Sequence, residues 1–124
     1  MAPKRDFAAL YTKEIDWQDD TILQLPKGVK VKILYEDPEL EHQDIMVKFP
    51  PGYTEPLHTH ESWHSIVVLE GKMCVAGMEL KAGDYVFGWD KPHGPYHYPE
   101  GCVVFTVTIG KSNIHKYEKY EGKK

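Results

Sequence analysis

Short apolar runs separated by turn-forming residues are the feature that most constrains the fold of this chain. Proline, glycine and acidic residues interrupt the sequence at short intervals, as at Pro50-Pro51-Gly52 and Ala82-Gly83-Asp84. Strands with a turn about every 8 to 12 residues are typical of a β-sandwich or a β-barrel. Nothing in the middle of the chain sustains a helical period. We therefore predict an all-β protein, with strands over residues 29–35, 45–49, 64–69, 73–76, 85–89 and 103–109.

The length of 124 residues suits one domain, because a chain of this size buries about two-thirds of its unfolded surface in a single core. We assign residues 1–124 to that domain. Residues 7–10 are expected to form a helical turn or an arm. The polar residues 111–124 are expected to fray in part.

The charge balance disfavours several classes of partner. A formal net charge of −4, without clustered basic residues, makes nucleic acid an unexpected partner. No apolar run approaches the roughly 20 residues that span a bilayer, so we expect no membrane partner and a cytoplasmic location. Arg5 is the only arginine, which disfavours a substrate held by paired negative charges. Cys74 and Cys102 form neither a C-x-x-C pair nor a disulfide framework and are expected to be reduced.

Four histidines are the candidate metal ligands: His58, His60, His64 and His97. Imidazole nitrogens suit divalent transition metals, whereas magnesium and calcium prefer carboxylate oxygens. The first three histidines lie an even number of residues apart, so on an extended chain they share one face. We therefore predict a metalloprotein. His42 and His115 are expected to be ordinary surface or core histidines.

A helical alternative exists for part of this set, because His60 and His64 are four residues apart, as in helical zinc sites. Pro56 lies just upstream, and residues 66–68 form a β-branched run just downstream. Both features disfavour a helix. We expect the strand.

These motifs resemble those of the cupin superfamily of small metal-binding β-barrels. The first cupin motif reads glycine, five residues, His-x-His, three or four residues, glutamate, six residues and glycine. Here Gly52 is followed by five residues, His58-Thr-His60, three residues, His64, six residues and Gly71. The match is complete apart from histidine in place of glutamate. The resemblance implies a double-stranded β-helix, or jelly-roll barrel, with its core from about residue 17 to residue 109.

The second cupin motif contains Pro-x-Gly-x-x-His, found here from Pro92 through Gly94 to His97. The family usually has five residues between the preceding glycine and this proline, whereas eight lie between Gly83 and Pro92. The longer loop makes His93 a rival ligand. We expect His97, because it keeps its place relative to Pro92 and Gly94.

The unusual His64 leaves two ligand sets open. If His64 binds, the chain resembles cupins with four histidines, in which a neutral shell leaves the metal strongly Lewis-acidic. If it does not, the chain resembles the three-histidine iron dioxygenases that cleave β-diketones, and His64 becomes a candidate general base. If His64 binds the metal, Glu61 is the candidate catalytic carboxylate. We expect one divalent transition metal per chain, with Fe2+ or Mn2+ favoured over Cu2+, Ni2+ or Zn2+.

A fold does not determine a chemistry, so the function is inferred from the site. We expect an oxygenase that acts on a small enolisable carbonyl or phenolic compound, with dioxygen as a second substrate. A non-oxidative lyase or isomerase and a non-enzymatic cupin that binds a metal or small ligand remain alternatives. Trp63 should face away from the metal and contribute to a homodimer. The expected aromatic wall of the substrate pocket consists of Phe87, Trp89, Tyr96 and Phe105.

Overall fold

The computed structural model describes residues 7–23, 25, 27–89 and 91–110, together with the backbone of 116–117. Arg5, His115 and most of the polar ending lie outside these residues. One short 3-10 turn, Thr12–Glu14, follows an irregular segment at residues 7–11. Among the described residues, no helix is long and apolar enough to cross a membrane. The strands are β1 (Gln18–Asp19), β2 (Lys30–Asp37), β3 (His42–Phe49), β4 (Tyr53–Glu55), β5 (His58–Thr59), β6 (Trp63–Gly71), β7 (Met73–Val75), β8 (Met78–Leu80), β9 (Tyr85–Trp89), β10 (Tyr96–Tyr98), β11 (Cys102–Ile109) and β12 (Lys116–Tyr117).

The strands form two larger antiparallel sheets and one small one. The larger sheet has six strands in the order β1-β2-β3-β11-β6-β9, and a second has four in the order β4-β10-β7-β8. Strands β5 and β12 pair separately. All the pairings are antiparallel. The prediction of an all-β fold is confirmed.

A single hydrophobic core joins the two larger sheets. Val47 and Val104 contribute from the six-stranded sheet, while Met73 and Tyr98 contribute from the four-stranded sheet. The ring of Phe49 on β3 stacks on Tyr98 of β10, with centroids 4.0 Å apart and planes 4° from parallel. Burial of one face of each sheet in a shared core gives the predicted double-sheet barrel.

Side-chain alternation along β11 separates the interior from the outer surface. Val104, Thr106 and Thr108 are buried, whereas Phe105 and Val107 between them are partly exposed. On the neighbouring strand β6, His64 and Val68 are buried, and Trp63 on the outer face is 47% exposed. Trp63 therefore faces outward, as predicted from its phase relative to the histidines.

All six predicted strands are present, as β2, β3, β6, β7, β9 and β11. The unpredicted strands β1, β4, β5, β8, β10 and β12 have two or three residues each. Runs this short show no measurable alternation of apolar and polar residues. They form strands because neighbouring strands offer them backbone hydrogen-bond partners.

Gly71 shows why the first cupin motif ends in glycine. Its φ is +81°, a left-handed conformation that favours glycine. A Cβ at this position would also collide with the backbone of Gly101 and Cys102. Glycine here allows β6 to end against the turn that begins β11.

Candidate metal centre

Three histidines converge in the structure: His58, His60 and His93. His58 begins β5, His60 follows that strand, and His93 lies in the loop between β9 and β10. Each histidine offers one ring nitrogen, and these atoms all lie within 4.8 Å of one another. Two backbone hydrogen bonds fasten the loop to β5: His58 N–H donates to the His93 carbonyl (3.1 Å), and His93 N–H donates to the His58 carbonyl (3.0 Å).

Backbone carbonyls determine which nitrogen of each ring carries the proton. The Nδ1 of His58 lies 2.9 Å from the carbonyl oxygen of Pro56, that of His60 lies 2.7 Å from Ser62, and that of His93 lies 2.6 Å from Lys91. Because a carbonyl oxygen can only accept, each Nδ1 must be the donor. In its neutral form, each ring therefore has its free lone pair on Nε2.

The lone pairs of two of these rings face each other. The Nε2 atoms of His60 and His93 lie 3.1 Å apart, close enough to interact directly. When both Nδ1 atoms carry protons, two Nε2 lone pairs repel unless a cation interacts with both. Three imidazoles that each offer one nitrogen to the same point fit a divalent transition metal, and this donor set lacks the carboxylate oxygens that magnesium and calcium prefer.

Burial favours the neutral, metal-binding form of two of these histidines, His58 and His93. His58 is 2% exposed, and burial lowers its pKa to about 3, with smaller contributions from His93 and His60. Burial also lowers the pKa of His93 below its ordinary value, although the bond to the Lys91 carbonyl partly opposes this. Protons consequently compete only weakly with a metal for these nitrogens at neutral pH.

Gly88 provides the space for the His93 ring. It lies on β9, opposite His64 of β6. A Cβ at Gly88 would lie 2.9 Å from Nε2 of His93, the expected ligand atom, and 3.2 Å from its Cε1. The absence of a side chain at residue 88 thus positions the third histidine.

His97, the ligand favoured by motif spacing, does not join this group. It is the middle residue of β10, between buried Tyr96 and Tyr98, and its own side chain is exposed. Its Nδ1 lies 3.0 Å from the Thr54 hydroxyl on β4. Alternation along a strand places His97 on the outer face, whereas the loop carries His93 inward.

His64 points into the barrel but lies outside the convergent group. It is 3% exposed, and its ring stacks on that of His60 with centroids 3.8 Å apart. Its Nε2 lies 2.9 Å from the Ser62 hydroxyl. The chain bends at residues 61–62, between β5 and β6, so the three motif histidines do not form one continuous strand. His64 consequently supports the His60 ring.

Sequence patterns did not reveal Glu55, Ser62 or Gly88 as parts of the site. Glu55 ends β4, is 3% exposed, and places Oε2 3.2 Å from Nδ1 of His58. Ser62 bonds to His60 through its carbonyl and to His64 through its hydroxyl. The signal for Glu55 was a carboxylate three positions before His58, a spacing that matches no strand or cupin pattern.

The predicted substrate wall divides between the two faces of the barrel. Tyr96 is 4% exposed and lies against His58, with ring centroids 5.8 Å apart. Phe87 and Trp89 are instead exposed on the outer face of β9, because Gly88 between them faces inward. Phe105 is also on the outer side, opposite Val67 in the β6 pairing. Only Tyr96 of the four predicted residues therefore contacts the histidine group.

The remaining candidate residues have ordinary surroundings. Glu61 is exposed in the bend after His60. His42 pairs with Asp44 at 2.6 Å on the outer face of β3. Both cysteines are free thiols, and burial raises the pKa of Cys102 to about 12, which makes it unreactive.

An antiparallel barrel that carries this histidine group defines a cupin with a site suited to a metal ion. The chain belongs to the family of ChrR Cupin-like domains, whose model matches residues 6–112. It is 31% identical over 110 residues to the DNA damage-repair/toleration protein DRT102 of Arabidopsis thaliana. That alignment covers 82% of this chain but 33% of the relative, so the chain spans about a third of the length of that protein.

Solved structures share this fold at low sequence identity. A candidate acetylacetone dioxygenase from Methylibium petroleiphilum superposes with a TM-score of 0.75 and 19% identity, covering 98% of this chain and 88% of that one. The acetylacetone dioxygenase of Acinetobacter johnsonii gives 0.67 and 21%, with 89% and 80% covered. The polyketide cyclase RemF of Streptomyces resistomycificus gives 0.71 and 17%, with 90% and 85% covered. At these identities, the similarity establishes the fold alone.

Proposed function

We propose that this protein is a metal-dependent oxygenase that acts on a small enolisable carbonyl or phenolic compound. The observation that carries the proposal is the convergence of three histidines on one point, with each Nδ1 bonded to a carbonyl. His58, His60 and His93 would hold one divalent ion, with Fe2+ or Mn2+ favoured. When bound, such a metal supplies Lewis acidity and one-electron redox chemistry.

The side chains around the group suit a small, largely apolar substrate. Tyr96 presents a buried ring beside His58, which would pack against the carbon skeleton of an enol or a phenol. His64 could hold a proton through its contact with the Ser62 hydroxyl. Glu61, exposed in the adjacent bend, is the alternative proton acceptor. Similarity in fold to two acetylacetone dioxygenases supports a diketone-like substrate class.

Oxygen consumption tests this proposal directly. Protein loaded with Fe2+ or Mn2+ would be mixed in an oxygen electrode with acetylacetone and, separately, with catechol. We expect dioxygen uptake in proportion to substrate loss, and no uptake with His93→Ala. Fully loaded protein that consumes neither dioxygen nor substrate would contradict the oxygenase proposal and favour the non-enzymatic metal-binding or small-ligand-binding alternative.

A second candidate is a non-oxidative reaction, such as an isomerisation or cyclisation, at the same site. The fold similarity to the polyketide cyclase RemF favours it. Anaerobic turnover distinguishes the two candidates, because a lyase, isomerase or cyclase converts its substrate without dioxygen. An oxygenase stops when dioxygen is removed.

We also propose that the protein is a homodimer. Six exposed large apolar side chains lie on the adjacent strands β11, β6 and β9, a concentration typical of an interaction surface. Replacing Trp63 and Trp89, whose rings contact each other, with lysine should yield a folded monomer in analytical ultracentrifugation. A wild-type protein that sediments as a monomer would contradict the proposal. The six side chains are Trp63, Leu69, Tyr85, Phe87, Trp89 and Ile109.

A further inference from the structure

Glu55 is a buried acid whose position is not explained by packing. It is 3% exposed and lies near the buried rings of Tyr96 and Tyr98. The hydroxyl of Tyr98 donates a hydrogen bond to its carboxyl group. A carboxyl group in such surroundings is less favourable than an apolar side chain of similar size, because burial removes most of its hydration. A role in stability alone would favour leucine or methionine at this position.

The carboxyl group contacts one member of the histidine group. Its Oε2 lies 3.2 Å from Nδ1 of His58, the nitrogen that also lies 2.9 Å from the Pro56 carbonyl. The Nδ1–H of His58 donates to the Pro56 carbonyl, and the carboxyl oxygen of Glu55 lies within reach of the same nitrogen. The equivalent atoms of His60 and His93 bond to backbone carbonyls. A carboxyl acceptor behind a ligating histidine fixes the ring and raises its basicity.

We propose that Glu55 is a positioning residue for the metal centre: it accepts a hydrogen bond from His58 Nδ1 and directs the Nε2 lone pair at the ion, while Tyr98 holds Glu55 in place. This inference rests on the metal-binding part of the proposed function and not on oxygenase activity. It adds a carboxyl group to a site whose ligand motif contains none. Tyr98, Glu55 and His58 form one chain of contacts from β10 through β4 to β5.

The chain of contacts predicts opposite effects on two measurable quantities. Glu55→Met removes the acceptor and replaces it with an apolar side chain of similar length. Metal binding should weaken by at least about 10-fold. The metal-free protein should be as stable as the wild type or more stable, because an unfavourably buried polar group is gone. A purely structural role would lower stability and affinity together.

Co2+ is a suitable probe, because its visible absorption reports the surrounding ligands. Affinity would be measured by titration with Co2+, and stability by urea unfolding of the metal-free protein. Glu55→Gln retains one acceptor oxygen and should weaken binding less than Glu55→Met. Tyr98→Phe should weaken Co2+ binding in the wild-type background and have no further effect in the Glu55→Met background. Asp37→Asn is the matched control, because Asp37 is a buried carboxylate that instead bonds to the turn at Glu39.

Each outcome decides the inference. Wild-type affinity in Glu55→Met, or an affinity loss that only parallels a stability loss, would overturn the role of Glu55 and leave the metal site intact. Failure of the wild-type protein to bind Co2+, Fe2+ and Mn2+ would overturn the metal site and this inference together. If Glu55→Met does not fold, Glu55→Gln and Tyr98→Phe decide: both must weaken Co2+ binding without lowering stability.

Discussion

Replacing Gly88 with alanine should remove one metal ligand without touching any histidine in the sequence. The new Cβ would lie 2.9 Å from Nε2, 3.2 Å from Cε1 and 3.3 Å from Cδ2 of His93. Ordinary contacts between such atoms are about 3.5 to 4.0 Å, so the ring must move by roughly 0.5 to 1 Å. The moving group is the end of a half-buried side chain, which can swing away without displacing the strand.

The expected effect on metal binding is large, whereas the effect on stability is small. A displacement of about 1 Å at a reacting or ligating group can weaken its function by about 100-fold. We therefore expect Gly88→Ala to bind Fe2+ or Co2+ about 100-fold more weakly than the wild type. Alanine restricts the unfolded chain more than glycine does, which would offset part of the strain.

Competition titration against a chromophoric chelator would measure the affinity, and thermal unfolding of the metal-free protein would measure stability. The matched control is the double variant Gly88→Ala/His93→Ala, which should bind no more weakly than His93→Ala alone, because both changes remove the same ligand. Wild-type affinity in Gly88→Ala would refute the reasoning. Additive losses in the double variant would show that Gly88 acts elsewhere.

Three further predictions concern ligand choice and protonation. His93→Ala should lose stoichiometric metal, whereas His97→Ala should retain it, because the exposed ring of His97 lies on the outer face. Elemental analysis of both variants would check this. The reverse result would favour His97, the ligand expected from the motif. His64→Phe should bind its metal with an affinity within about 10-fold of the wild type, since phenylalanine preserves the ring stack on His60. Titration of the variant with metal would check this, and failure to bind would favour four histidine ligands. Burial raises the pKa of Glu55 from 4.5 to about 8, so the metal-free protein should lose stability as pH rises between these two values, by up to about 1.4 kcal/mol per pH unit. Urea unfolding from pH 5 to 8 should show the stability of Glu55→Gln rising relative to the wild type, and a constant difference would count against a buried acid.

The sequence was sufficient to predict the long strands and the first two ligand candidates. Strands β6 and β11 contain continuous apolar runs, at residues 66–69 and 102–105, next to turn-forming residues, so they are recognisable without any knowledge of their partners. His58 and His60 stand in a motif with fixed spacing to Gly52 and Gly71. Gly71 is required locally, because its backbone has a positive φ and touches the next turn.

The third ligand depended on how a loop folds back onto β5. Motif spacing favoured His97, but the longer loop after Gly83 was the signal that His93 could replace it. In the structure, His97 pairs with Thr54 and Cys74 across the four-stranded sheet, and its side chain is exposed. The backbone bonds between His58 and His93 then place the loop histidine inside.

By itself, the sequence determined the all-β class, the positions of the longer strands and the presence of a histidine site, because these depend on residue types and short spacings. Only the tertiary structure decided that Phe87 and Trp89 face outward, that His64 stacks on His60, and that Glu55 and Gly88 belong to the metal centre. These relationships join residues from different strands. They depend on register and on the path of the loops, and a one-residue change in either places a side chain on the opposite face.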